Sequence, residues 1–134
     1  MTCDGENDPE SVVGRWHSVV ESRDPAGLDA LLADEVVFHS PVVHTPQRGK
    51  ALTTMYLAAA IGVFGSSNFH YAREVVGRHD AVLEFVATLD GIVVNGIDMF
   101  HWNDDGRIDD FKVMVRPLKA VNLLHQMMAR ALGK

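Results

Sequence analysis

The feature that most constrains this chain is a change of period halfway along it. From Phe69 onward, four extended runs, near Phe69 to Val76, Ala81 to Leu89, Ile92 to Trp102 and Ile108 to Val115, follow one another with only turn residues between them. Asp90-Gly91 suits a two-residue primed turn and Asn103-Asp104-Asp105-Gly106 a slightly longer one, so the runs read as hairpins. The first half has helical spacing instead. Asp8-Pro9 reads as an N-cap with proline in the first turn, and Val12, Val13, Trp16, Val19 and Val20 then predict a helix from about Pro9 to Ser22. Asp24-Pro25, with Leu28, Leu31 and Leu32 on one face, predicts a short second helix. Val36-Val37-Phe38 is a short strand stopped at Ser40-Pro41, because a residue before proline favours extended geometry. Pro41 to Gly49 is a loop, Ala51, Leu52, Met55 and Ala59 mark a third helix ending near Gly62 to Gly65, and Pro117 opens a last one carrying Leu118, Val121, Leu124, Met128 and Leu132. Helices first and a strand meander afterwards predict an α+β domain, with helices packed on one face of a curved antiparallel sheet.

With 134 residues, 47% hydrophobic and 22% charged, the chain can bury one core, so residues 9–134 are expected to form a single domain behind a polar, flexible leader, residues 1–8. No apolar run approaches the ~20 residues that span a bilayer. The start, Met1-Thr2-Cys3-Asp4-Gly5-Glu6, lacks a signal-peptide pattern, and a cytoplasmic location is expected. Cys3 is the single cysteine, which excludes an intrachain disulfide and a thiolate metal site. A net charge of −6 with scattered Lys and Arg argues against nucleic acid and anionic membranes as partners.

Period-two alternation puts Ile92, Val94, Asp98, Phe100 and Trp102 on one side of the longest run and Val93, Asn95, Ile97, Met99 and His101 on the other. Phe111, Val113 and Val115 line up in the next run, and Leu83, Phe85, Ala87 and Leu89 in the preceding one. One face of the sheet is thus apolar apart from Asp98. A carboxylate there must pair, reach water or take up a proton, since burying its charge alone is costly. Protonated, it could donate to a substrate oxygen; alternatively it binds a backbone amide or an arginine such as Arg116. His39, beside Ser40, titrates near neutrality and could act as a base, although alternation points it to the opposite face. Tyr56 could turn its hydroxyl into a cavity. His39 and His44 find no carboxylate to complete a ligand set, so neither metal nor cofactor is expected. The opposite face, with Val93, Ile97, Met99 and Met114, predicts a homodimer.

The run Gly96-Ile97-Asp98-Met99-Phe100-His101-Trp102-Asn103-Asp104-Asp105-Gly106-Arg107-Ile108 resembles the hydrophobic-Asp-hydrophobic strand and Asp-Gly-Arg-Ile turn of bacterial ketosteroid isomerases and SnoaL-like polyketide cyclases. Leu31-Leu32-Ala33-Asp34-Glu35-Val36-Val37-Phe38, ahead of a proline and a helix led by Gly49-Lys50, adds to the resemblance, which covers nearly the whole chain. It implies the cone-shaped nuclear transport factor 2-like fold, with the helices on the concave face of the sheet, and a small hydrophobic ligand. It also implies that Asp98 matches the isomerases' protonated oxyanion-hole aspartate. The general-base aspartate falls on Ser40, and the oxyanion tyrosine of the first helix falls on Trp16, whose indole can only donate.

Three functions follow as expectations. The first is cofactor-free acid-base chemistry of the isomerase or cyclase type, with Asp98 and His39 catalytic and Trp16, Ser40, Tyr56, Phe85, Phe100, Trp102, Phe111 and Val113 around the substrate. The second is a non-catalytic module binding a small ligand in the same cavity, and the third a structural or interaction domain that fills its cavity itself.

Overall fold

The computed structural model describes residues 11–65 and 68–133. The leader, with Cys3 and the expected N-cap Asp8, lies outside them. Helix α1 spans Val12–Ser22, and Ser11 caps it by accepting from the Gly14 amide at 2.9 Å. Asp24 caps the next turn through the Ala26 amide at 3.0 Å, and a 3-10 turn, Pro25–Gly27, runs into the one-turn helix α2, Leu28–Leu31. Strand β1 is Leu32–His39, longer than its apolar triplet foretold, because Leu32 and Ala33 are already buried in extended geometry. The proline-rich loop is irregular except for β2, Gln47–Arg48, which pairs with Val37 and Phe38. Helix α3 is Lys50–Phe64; β3, β4, β5 and β6 are His70–Val76, Asp80–Leu89, Ile92–Trp102 and Ile108–Arg116; α4 is Leu118–Ala131.

These strands form one sheet in the order β2-β1-β6-β5-β4-β3. The meander is antiparallel as expected, and one pairing corrects the antiparallel reading: β1 runs parallel to β6. The chain leaves β1, crosses through α3 to the far edge at β3, and walks back strand by strand, so β6 arrives beside β1 in the same direction. The sheet is therefore mixed.

Alternation along β4 and β5 is regular, with Ala81, Leu83, Phe85, Ala87 and Leu89 buried from one strand and Val94, Asp98 and Phe100 from the other. Gly96 belongs to the same row because a Cβ there would meet the Met114 carbonyl and the Phe85 ring, each at 2.5 Å. A bulge in β6 opposite His101 and Trp102 turns both Ile108 and Phe111 inward. One buried cluster joins α1 and α2 to this face through Trp16, Leu28, Phe100 and Phe111, and a second joins α4 through Leu124 to Phe85 and Val94.

The Asp-Gly-Arg-Ile turn holds those layers together. Asn103 Oδ1 accepts from the Asp105 and Arg107 amides at 3.0 and 3.1 Å, and Gly106 takes φ 73°, a left-handed value that favours glycine. Arg15 of α1 donates to the Gly106 carbonyl, and Arg107 reaches the Leu32 carbonyl at 3.4 Å. The motif thus docks α1 and the start of β1 onto the sheet. Among the described residues no helix is long and apolar enough to cross a membrane.

Candidate functional site

Between α1, α3, α4 and the inner sheet face lies a cavity of about 490 Å³. Its walls are largely aromatic and aliphatic: Phe38 stacks on Tyr56 at 5.6 Å, Phe69 stacks on Phe85 at 5.2 Å, and Ile61, Val113 and Leu124 fill the spaces between. Asp98 supplies a carboxyl to this lining and is 6% exposed.

The carboxyl does not stand alone. Tyr71 of β3 donates its hydroxyl to Asp98 Oδ2 at 2.6 Å, and Trp16 of α1 donates its indole N–H to the Tyr71 oxygen at 2.9 Å. Three elements, α1, β3 and β5, converge on one chain of donors ending in a carboxyl. Burial drives the Asp98 pKa from its ordinary 3.8 to about 7, and the Tyr71 hydrogen bond pulls the other way. The same burial, with Asp98 and Glu74 nearby, raises the Tyr71 hydroxyl well above its usual value, so Tyr71 stays a donor at neutral pH. Below Tyr71, His17 and Glu74 pair at 2.9 Å and the His17 ring meets the Tyr71 ring edge-on at 5.2 Å.

The structure brings Trp16, Ser40, Tyr56, Phe85, Phe111 and Val113 to the cavity together with Asp98. Trp16 spends its donor on Tyr71 rather than on the cavity. The Ser40 hydroxyl accepts from the Val42 and Val43 amides at 3.1 and 3.3 Å, which ties it to its own loop. His39 is not brought in: its Nε2 pairs with Asp110 Oδ1 at 2.8 Å on the outer face, as alternation along β1 requires. Phe100 and Trp102 also lie off the cavity wall; Phe100 is 1% exposed and stacks on Phe111 at 5.3 Å, and Trp102 packs behind it at 6.0 Å. Arg116 does not reach Asp98, since its Nε donates to Asn95 Oδ1 at 2.8 Å on the other side of the sheet. Among the described residues no group of three or more His, Cys, Asp or Glu is placed to hold a metal ion.

Tyr71 is the side chain of this donor chain that sequence reasoning missed. A bulge between Tyr71 and Arg73 shifts β3 by one residue, so strict alternation counted back from buried-face Val76 and Glu74 leaves Tyr71 outside. Its position opposite Phe85 on the inner face follows from that bulge and the strand pairing, which the sequence does not display.

With this arrangement in view, the comparisons are specific: the model of the SnoaL-like domain matches residues 13–111. The chain belongs to that family. Among solved structures it is 35% identical to a steroid delta-isomerase from Pseudomonas aeruginosa, covering 98% of this chain and 93% of that one with a TM-score of 0.87. It is 31% identical to a bacterial protein of cystatin-like fold from Silicibacter pomeroyi, covering 89% and 83% with a TM-score of 0.82. The epoxide hydrolase/cyclase-like enzyme SalBIII shares the fold at 16% identity, with 78% and 88% covered and a TM-score of 0.64. No functionally curated protein matches the chain. The SnoaL-like domain thus has isomerase and cyclase neighbours and the nuclear transport factor 2-like fold. Those neighbours agree with the α+β architecture and leave the reaction to be argued from the site.

Proposed function

We propose that this SnoaL-like domain is a cofactor-free acid-base enzyme for a small, mainly apolar carbonyl compound, with Asp98 as the group that gives and takes the proton. The observation that carries this reading is the buried carboxyl at the end of the Trp16–Tyr71 donor chain, in a cavity whose walls are largely apolar. A pKa of about 7 keeps both protonation states populated at neutral pH, where a general acid-base group works best. The similarity to a protein named as a steroid delta-isomerase supports proton transfer beside a carbonyl as the reaction type.

One carboxyl suffices for such a transfer when it acts twice. Protonated Asp98 gives its proton to the carbonyl oxygen, and the carboxylate left behind, stabilised by the Tyr71 donor, removes a proton from the neighbouring carbon. An O–H bond forms, a C–H bond breaks, and Asp98 ends as it began. Burial matters here because a desolvated carboxylate is a stronger base than one in water.

The test is deuterium uptake. Cyclic ketones incubated with the protein in D₂O should gain deuterium beside the carbonyl, with activity lost in Asp98→Asn and reduced in Tyr71→Phe. Ketones that bind and gain no deuterium would replace this reading by the second one, a non-catalytic binder. The loop-bound Ser40 hydroxyl favours that second reading, because a serine stands where the resemblance places the general base.

A further inference from the structure

The cavity has a polar rim that the proposed reaction does not use. Among the described residues Arg23 is the one lysine or arginine in its lining. Arg23 closes α1 with φ 57°, a left-handed value that a helix end usually gives to glycine. Its backbone N–H donates to the Val19 and Val20 carbonyls at 3.0 and 3.3 Å, so the main chain caps the last turn and does not call on the guanidinium. Among the described residues no acid pairs with that guanidinium. The stem runs from the end of α1 toward the end of α3, where a Cβ on Gly65 would meet Arg23 Cδ at 3.4 Å and the Ile61 carbonyl at 3.2 Å. Asn68, further along the chain, lines the same cavity and takes φ 61°. Among the described residues only Asp90, in a hairpin turn, is a further non-glycine with positive φ, so the strained backbone outside that turn stands at the cavity. Strain of this kind collects where it holds a side chain for a ligand.

We propose that the cavity takes a keto acid, an apolar body with a carbonyl at one end and a carboxylate at the other, and that Arg23 and Asn68 hold the carboxylate. The carbonyl end rests on the reaction proposed above; the carboxylate end rests on the rim alone. A guanidinium presents a fork of N–H donors that matches a carboxylate, and the Asn68 amide adds another donor. Glu21, in the regular part of α1, also lines the cavity and opposes an anion, so it tunes the site without supplying the recognition. Helix α1 sets the length of the ligand. From Trp16, which reaches Asp98 through Tyr71, to Arg23 the helix advances roughly 10 Å, and the two polar ends of the ligand stand about that far apart. The aromatic and aliphatic walls cover the apolar body between them. The rim itself is open to water, since Arg23 and Asn68 are exposed, so a charged end can enter last and keep part of its hydration.

Calorimetric titration tests the rim with a benzoic acid that carries a cyclohexanone ring at its para position, attached opposite the ketone, and with the methyl ester of that acid. Wild type should bind the acid roughly tenfold more tightly than the ester at neutral pH, a modest ratio for a charge-assisted contact because the rim is exposed. Arg23→Gly should bring the acid down to the affinity of the ester. That variant should also melt no lower than wild type, since glycine takes the left-handed φ without strain. Arg23→Lys, which keeps the charge and loses the fork, should fall between the two. Glu21→Gln should strengthen binding of the acid, whereas a rim built for a cation would lose affinity. Deuterium uptake beside the ketone, followed for both compounds, reports separately on Asp98. Equal affinity of wild type for acid and ester would overturn the proposal even where both compounds gain deuterium, and so would an acid preference that survives Arg23→Gly. An acid preference lost in Arg23→Gly, with no deuterium gained by either compound, would support the carboxylate site and overturn the reaction instead.

Discussion

Along β5 the inner face carries Val94, Asp98 and Phe100, the outer face carries Val93, Ile97, Met99 and His101, and a charged side chain meets opposite conditions on the two. Inside, Asp98 has one hydroxyl donor and aromatic walls, so desolvation dominates and the proton is held to about pH 7. Outside, Asp109 lies within reach of water and a cation, and the balance reverses: its hydrogen bond pushes the His101 pKa up, against a smaller desolvation effect. The same residue type is an acid on one face of the sheet and the hydrogen-bond partner of a histidine on the other. The difference is solvation rather than chemistry, and it separates a group available for proton transfer from one that decorates a surface.

The largest expected effect concerns how closely the inner face is packed. Gly96→Val should cost about 3 kcal/mol, near the upper end of overpacking penalties, because one of the two groups in its way is the Met114 backbone carbonyl and cannot swing aside. Ile97→Val, one residue along on the outer face, should cost about 1 kcal/mol or less. Urea midpoints of the two variants check this, and equal costs would erase the contrast in packing.

Next in size is the effect of removing the inner charge. The folded Asp98 pKa lies above its ordinary 3.8, so its contribution to stability is fully present below about pH 4 and is lost as pH rises through about 7. Asp98→Asn keeps the shape and an acceptor for Tyr71 but cannot ionise. It should match wild type near pH 5 and be more stable by roughly 2 kcal/mol at pH 9, a value below the full linkage of ~1.4 kcal/mol per pKa unit to allow for relaxation. Thermal melts across that range check it, and a variant less stable at pH 9 would mean the charge was paired.

A smaller loss is expected for Tyr71→Phe, about 1 kcal/mol for a donor removed from a buried acceptor. Since Tyr71 lowers the Asp98 pKa, the deletion should push that pKa further up, and the loss should be greater at pH 9 than at pH 5. The smallest effect belongs to the outer face. Asp109→Asn should cost well under 1 kcal/mol and vanish in high salt, as half-exposed pairs do. Its pH dependence runs the opposite way: a raised folded pKa for His101 means stabilisation present below about 6.5 and lost at higher pH, so the penalty shows near pH 6 and fades by pH 9.

The sheet and the inner position of Asp98 were legible because period-two alternation runs unbroken through β4 and β5, and Asp90-Gly91 and Asn103 to Gly106 mark their turns. The family was legible from the Asp-Gly-Arg-Ile turn for an architectural reason, since Arg15, Gly106 and Arg107 dock α1 and β1 onto the sheet whatever the cavity does. Tyr71 was not legible, because a one-residue bulge moves it across the sheet and local sequence does not announce bulges. Nor was the parallel β1–β6 pair, which depends on where the meander ends rather than on any strand's own residues. His39 was read correctly as outward-facing by alternation; placing it with the catalytic residues rested on its adjacency to Ser40, and the pairing with Asp110 shows that adjacency in sequence did not become proximity at the cavity.

The central claim, that an apolar cavity holds Asp98 largely protonated into the neutral range, is tested most directly by carboxyl-carbon NMR titration of the folded protein. The Asp98 resonance should titrate with a midpoint near 7, far above its ordinary 3.8, and move further up in Tyr71→Phe. A midpoint at or below 3.8 would contradict the account, because it would mean that the fold stabilises the charged carboxylate rather than the acid.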